Sequence, residues 1–168
     1  MNHGYRRFSR NDISFFNEVF FKGFSLSFNI TYRFGYYFRK PTIDYGALFT
    51  SGIGNIDYQK RWMKPGDESH TNVPALQYID YPNFESRNSF YFGSEINVLK
   101  ADNIRLQFIN LSYSPPKLKN IPVENLQVYF NASNLGILWR ANKENLDPDY
   151  PGVIPPSKSF TFGLRANF

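Results

Sequence analysis

A strict alternation of apolar and polar residues is the strongest pattern in this chain. Between residues 24 and 38 every even-numbered residue is apolar or aromatic, and every odd-numbered residue except Tyr37 is small or polar. A period of two places successive side chains on opposite faces of a β-strand and does not occur in helices. The pattern therefore predicts a strand with one apolar face and one polar face.

Further segments carry the same signal. The alternation returns at residues 126–134 and 159–168, and at 104–113 its phase changes partway, which a β-bulge near Phe108 would explain. A weaker strand, at about 13–20, precedes a tight hairpin in which Gly23 supplies a positive φ. The chain is therefore predicted to be all-β, with antiparallel strands.

The connections between these strands alternate in length. Long connections at about 39–102 and 136–156 flank a short turn at about 114–124. Outer-membrane β-barrels have this layout, with long extracellular loops and short periplasmic turns. Residues 90–98 also look strand-like, but a spanning strand there would put the two long connections on opposite sides of the membrane. We therefore interpret residues 90–98 as part of the first extracellular loop.

A soluble antiparallel sandwich also alternates, and the pattern alone leaves it open. Two features favour a membrane barrel, because the apolar stripes are heavily aromatic and the final residue, Phe168, is in phase with its stripe. The smallest spanning barrels have about eight strands, more than are predicted here. The chain is therefore expected to be an incomplete part of a larger transmembrane barrel.

Composition excludes several kinds of chemistry. With Cys 0 and His 2, the chain offers no thiolate and almost no material for a zinc site or a histidine-based triad. No apolar run approaches the roughly 18 residues of a spanning helix. No catalytic, metal or cofactor residue is assigned, and the protein is not expected to be an enzyme. The net charge of +5 admits nucleic acid, anionic lipid or lipopolysaccharide as neighbours.

Several blocks of the sequence resemble one protein family, the SusC/RagA-type TonB-linked outer-membrane proteins. Residues 58–68, YQKRWMKPGDE, are similar to a loop signature near that family's C-terminus. Residues 102–113 and 126–134 resemble its strands hIRLxxIxLSY and lxxYxxxxNL. Residues 136–149, which begin GILWRANK, resemble its penultimate loop, and 159–168 resemble its closing strand. The similarity runs from about residue 15 to residue 168, with the blocks in the family's order.

The resemblance implies a plugged barrel of about 22 strands in the outer membrane of a Gram-negative bacterium. It also implies uptake of glycans, oligosaccharides or peptides, energised through TonB, with a SusD-like surface lipoprotein as partner. The plug, the TonB box and most strands do not occur in these 168 residues. We therefore expect the chain to be the C-terminal barrel segment, linked to TonB only through a missing N-terminal part. Outer-membrane lipid and lipopolysaccharide are its other expected partners.

The closing strand fits the polar-x-Gly-x-x-apolar-x-aromatic signal by which outer-membrane barrels are recognised for assembly. The residues of this assembly signal are Thr161, Gly163, Ala166 and Phe168. The alternation also predicts the two faces of the sheet. The side chains predicted to face lipid include Phe28, Ile30, Phe130 and Phe162, and those predicted to face the lumen or the plug include Asn29, Arg33, Gln127, Asn131 and Arg165.

The two tryptophans, Trp62 and Trp139, are predicted to lie in the two long loops. Each indole could stack on a sugar ring, but packing of the loop is the simpler interpretation. Arg61 and Arg140 beside them could contact substrate or lipopolysaccharide phosphates, or pair with loop carboxylates.

Two alternative functions remain open at this stage. The first is a soluble β domain that binds single-stranded nucleic acid, although the 19 Lys and Arg residues form no cluster on one strand face. Nucleic acid is therefore not an expected partner. The second is a β-sandwich carbohydrate-binding module that uses Trp62 and Trp139.

Overall fold

The structure, a computed structural model, describes residues 11–116, 123 and 125–167. The chain divides into two compact units. We call residues 38–99 the loop unit, and the described residues on either side of it, 11–37 and 100–167, the sheet unit. The strands are β1 (Asn11–Phe21), β2 (Phe24–Phe34), β3 (Tyr37–Arg39), β4 (Val98–Lys100), β5 (Asn103–Tyr113), β6 (Asn125–Arg140) and β7 (Ser159–Asn167). The helices are α1 (Tyr45–Ser51) and α2 (Phe84–Gly93).

The sheet unit contains a 5-stranded sheet in the order β1-β2-β5-β6-β7. Every neighbouring pair is antiparallel, which confirms the all-β, antiparallel prediction. In the part of the chain that the structure describes, the outer edges of β1 and β7 pair with no further strand. The sheet is therefore open, as expected for a piece of a barrel.

The strand register brings polar positions of neighbouring strands onto one face, which we call the polar face. Side chains of adjacent strands are linked there by hydrogen bonds. The donors and acceptors are Asn29 Nδ2 to Ser14 Oγ at 2.8 Å, Asn110 Nδ2 to Ser27 Oγ at 3.2 Å, Gln107 Nε2 to Thr31 Oγ1 at 2.7 Å and Gln127 Nε2 to Ser112 Oγ at 3.3 Å. These bonds give the side-chain amide N–H groups acceptors on the neighbouring strands.

The opposite face, the apolar face, presents aromatic and aliphatic side chains. Phe130 lies directly opposite Phe162, and its ring is stacked 6.3 Å from that of Phe160. Phe160, Phe162 and Leu164 are 62%, 75% and 64% exposed. The alternation of the sequence thus separates two chemically different faces, and the apolar one is largely uncovered.

The predicted bulge lies at Gln107. Asn29 pairs with Phe108 and Ile30 pairs with Leu106, so Gln107 is the extra residue on β5. The pairing of β5 with β6 is also irregular there, since Leu106 pairs with Gly136 and Phe108 with Ser133. Because of this bulge Phe108 lies on the polar face, opposite Asn29, where its ring is 6.2 Å from that of Phe16.

The hairpin between β1 and β2 turns at Lys22 and Gly23, with φ angles of 45° and 86°. Two successive positive φ values match the right-handed twist of the paired strands. The positive φ at Gly23 confirms the prediction from sequence.

Strand β6 is longer than the sequence predicted. It extends beyond the predicted strand end at Asn134, as far as Arg140. Asn134 and Gly136, with φ of 55° and 106°, bend the strand without ending it.

The loop unit is built around a small core of its own. Ile43, Tyr45, Val73, Phe84 and Tyr91 are buried together. Residues 84–93, which include part of the strand-like stretch, form α2. Asp44 caps α1 by accepting the Ala47 N–H at 3.1 Å, and Arg39 Nη1 donates to the carbonyl oxygens of Phe92 and Ser94 at the end of α2. No helix within residues 11–116 or 125–167 has the length and apolar character to cross a membrane.

Tyr45 supplies a test of this small core. Its hydroxyl donates to the Pro74 carbonyl oxygen at 2.6 Å, and burial raises the pKa of Tyr45 to about 12. Tyr45→Phe should lower the stability of the loop unit by about 1 kcal/mol at neutral pH, because the Pro74 oxygen loses its donor. The native phenol holds its proton above pH 10 while the unfolded one releases it, so stability should fall as pH rises from 10 to 12.

The measurement is denaturant unfolding of the full chain followed by Trp62 fluorescence, with Trp139 replaced by phenylalanine. The loss of stability between pH 10 and 12 should be smaller in Tyr45→Phe than in the parent. Equal losses in both proteins would contradict the role given to this hydroxyl.

Candidate functional site

The polar face of the sheet forms a groove of about 830 Å³ near the β1–β2 turn. All five strands of the sheet and the turn contribute to its lining. The side chains include Glu18, Ser27, Asn110, Gln127, Tyr129 and Arg165. Hydroxyl and amide side chains are the most frequent in this lining. The edge strands β1 and β7 add the carboxylate of Glu18 and the guanidinium of Arg165. The groove therefore suits a polar ligand or a polar protein surface. In the described residues no group of three or more acidic or histidine side chains is arranged to hold a metal ion.

An ionic cluster lies on the same face, at the end of β2 and the start of β5. Arg105 Nη2 lies 2.6 Å from Asp147 Oδ2 and 3.2 Å from Asp149 Oδ2, and Arg33 pairs with Asp149. The side chains of Arg33 and Arg105 are 16% and 11% exposed. Arg33 was predicted to lie on this face, but the cluster was not foreseen. Asp147 and Asp149 lie within the long connection predicted at about 136–156.

The assembly-signal residues lie at the edge strand β7. Thr161 is opposite Asn131, and Ala166 is opposite Leu126. Gly163 is covered by the ring of Tyr129, so an added Cβ would stand 2.3 Å from Tyr129 Cζ. Phe168 lies outside the described residues. The role of the signal in assembly stays a prediction.

Gly163→Ala is expected to destabilise the sheet by about 1 kcal/mol, because the Tyr129 ring must leave its position over the glycine. Denaturant unfolding of the full chain in detergent measures this. Gly54→Ala is the matched control, since an added Cβ there has no atom within 4 Å. An equal loss in both variants would show that the contact with Tyr129 is unimportant.

Residues 61–68 of the loop unit form a compact turn. The Asp67 carboxylate accepts the N–H groups of Met63 and Lys64 at 2.9 and 3.1 Å, and these bonds, led by that of Met63, lower the pKa of Asp67. Trp62 Nε1 donates to the Thr71 carbonyl oxygen at 2.6 Å. The Arg61 guanidinium stacks 3.9 Å from the centre of the Tyr58 ring. Trp62 and Arg61 thus make contacts within their own loop.

Trp139 is not in a loop, although the sequence predicted one there. It lies in β6, opposite Ile104, and is 47% exposed. Arg140, the last residue of β6, donates from Nη1 to the Asn145 carbonyl oxygen. Trp62 and Arg61 thus belong to the loop unit, and Trp139 and Arg140 belong to the sheet unit.

Solved structures similar to this chain belong to a transporter. The chain matches the RagAB peptide importer in its open-open state with 22% identity and a TM-score of 0.52, over 87% of this chain and 16% of that chain. The match to the closed-closed state has 21% identity and a TM-score of 0.52, over 88% and 16%. The fold of this chain is similar to that of part of this importer.

The likeness is one of fold, because the sequence identity is low, and the chain spans only 16% of the length of these structures. No protein-family model and no curated protein matches the sequence. The structural neighbours are described as a peptide importer. The open antiparallel sheet is consistent with part of a β-barrel.

Proposed function

We propose that this chain is the C-terminal barrel segment of a SusC/RagA-like, TonB-dependent importer in the outer membrane of a Gram-negative bacterium. In this proposal the apolar face contacts lipid and the polar face lines the lumen. The single observation that carries it is an open antiparallel sheet with one apolar, uncovered face and one hydrogen-bonded polar face, in a fold similar to that of RagAB.

The exposure of the apolar face favours lipid over water. A soluble sandwich covers such a face with a second sheet, but Phe162 is 75% exposed. Water contact with these side chains costs roughly 25 cal/mol per Å² relative to an apolar environment. In a membrane the same exposure is favourable, provided that further strands satisfy the backbone at β1 and β7.

The topology supports a common side for the long connections. Because the sheet is antiparallel, the segments after β2 and after β6 leave the same end of the sheet, and the segment after β5 leaves the other end. We propose that residues about 39–102 and 136–156 belong to the extracellular side and about 114–124 to the periplasmic side, although the latter range lies mostly outside the described residues. Trp139 then suits the outer bilayer interface.

The partners are proposed from the same assignment. A SusD-like lipoprotein would meet the extracellular side, outer-membrane lipid and lipopolysaccharide would surround the apolar face, and TonB would act through a part of the protein outside these residues. Arg33 and Arg105 are paired with carboxylates, which reduces their availability for nucleic-acid phosphates. Oligopeptides and oligosaccharides are the proposed cargo classes.

Uptake by intact cells tests the function. Cells that lack the gene for this chain should take up less of a fluorescent oligopeptide or oligosaccharide than the parent cells do, and gene replacement should restore uptake. Disruption of TonB in the parent should give the same loss. Unchanged uptake of both cargo classes, or uptake independent of TonB, would contradict the proposal.

A further inference from the structure

The segment that follows β6 folds back over the polar face of the sheet. Arg33 pairs in register with Asp12 and Asn103, and Arg105 with Thr31, which places both arginines on that face. The carboxylates that reach them belong to Asp147 and Asp149, beyond the end of β6. The connection therefore lies on the side of the sheet opposite Phe160 and Phe162.

This segment has a fixed internal structure. Asn142, only 7% exposed, donates from Nδ2 to the Leu146 carbonyl oxygen at 2.9 Å and accepts the Leu146 N–H at 3.1 Å. The Asp149 N–H donates to Asp147 Oδ1 at 3.0 Å. We call residues 142–150 the strap. Its own hydrogen bonds hold the two aspartates at the spacing that reaches both arginines.

The ionic cluster connects the strap to strands β2 and β5. Among the described residues, two guanidinium groups meet two carboxylates at this partly buried site. The Arg105 guanidinium also lies 5.8 Å from the centre of the Tyr150 ring, within the strap. Loss of the carboxylates would leave two cations facing each other with little water, which opposes docking of the strap.

We propose that the strap is an inward constriction of the transporter lumen and that Arg33, Arg105, Asp147 and Asp149 are its latch. The proposal rests on the proposed function, since a lumen exists only if the sheet belongs to a barrel. A strap that lies on the polar face takes up space at the end of the sheet where β2 ends. Cargo or plug residues moving along that face must pass it.

Paired spin labels test the latch. The sequence has Cys 0, so Ser14→Cys on the polar face and Lys143→Cys in the strap give one defined pair of labels. The full chain is refolded in dodecyl maltoside micelles, and the label distance is measured by pulsed electron paramagnetic resonance. A single narrow distance distribution is expected. Asp147→Asn with Asp149→Asn should remove the narrow component from most molecules.

Two variants distinguish the latch from general misfolding. Glu18→Gln neutralises a carboxylate elsewhere on the polar face and should leave the distance unchanged. Arg105→Asp combined with Asp147→Arg exchanges the charges and should recover at least half of the narrow component that Arg105→Asp alone loses. A broad distribution in the parent chain, or a narrow one that survives neutralisation of both aspartates, would overturn the latch.

The result also separates this proposal from the proposed function. Lipid contact of the apolar face, measured independently on β7, tests the barrel assignment. If lipid contact is found and the strap is undocked, the strap proposal fails and the importer assignment stands. If the strap is docked and lipid contact is absent, the lumen assignment fails and the constriction fails with it.

Discussion

Gly23→Ala is expected to destabilise the sheet by about 3 kcal/mol. Gly23 has φ +86°, a conformation that L side chains rarely adopt, and a Cβ at this position would stand 2.4 Å from the Ser114 carbonyl oxygen. The neighbouring backbone cannot move away easily, because the Ser114 N–H donates to the Gly23 carbonyl oxygen at 2.8 Å. Denaturant unfolding of the full chain in detergent measures the loss.

Gly136→Ala separates backbone strain from the steric contact. Gly136 has φ +106° and no atom within 4 Å of an added Cβ. This variant should lose only the cost of the strained backbone, about 1 to 2 kcal/mol. Equal losses at the two glycines would mean that the approach of Ser114 to the hairpin does not matter.

Phe28→Arg is expected to impair membrane insertion by about 2 to 4 kcal/mol if the residue lies near the bilayer midplane. Phe28 is in β2 on the apolar face, opposite Asn17 and Ile109. A guanidinium there would have to enter hydrocarbon or draw water in. The measurement is the unfolding free energy of the proposed barrel, with this chain as its C-terminal part, reconstituted in phospholipid vesicles.

Thr161→Arg is the matched control on the polar face. Thr161 is exposed and lies opposite Asn131. A charge facing the lumen should change the unfolding free energy by less than about 1 kcal/mol, because it can stay hydrated. A neutral result for Phe28→Arg, or an equal loss for both variants, would contradict the assignment of the two faces.

The strands were predictable because their signal is local. A period of two is visible within each strand, and its phase identifies the face that each side chain joins. The bulge was predictable for the same reason, since Gln107 shifts the phase between Leu106 and Ile109. The hairpin was marked by Gly23 between two aromatic segments.

The end of β6 was less predictable. The sequence predicted a long connection from residue 136, and Asn134 and Gly136 are residue types that favour turns. In the structure both adopt positive φ. The strand nevertheless continues, because Ile137 and Trp139 pair with Arg105 and Ile104 of β5. Tertiary pairing overrides the local turn preference there, and it places Trp139 on a strand.

The ionic cluster could not be predicted from sequence. Arg33 and Asp149 are 116 residues apart, and nothing local links an arginine in a strand with an aspartate in a proline-rich connection. The helices of the loop unit are short, and α2 includes aromatic residues that had looked strand-like. Their packing around Ile43 depends on contacts between distant segments.

In the proposed barrel the two faces of this sheet contact different solvents, lipid on one side and water on the other. Single spin labels along β7, one at each residue from 159 to 167 of the full chain in phospholipid vesicles, test this most directly. Collision with oxygen, which concentrates in lipid, and with a water-soluble nickel chelate should alternate with a period of two. Oxygen contact should peak at Phe160, Phe162 and Leu164. Equal accessibility to both reagents along the strand, or protection of the phenylalanine positions from both, would contradict the account.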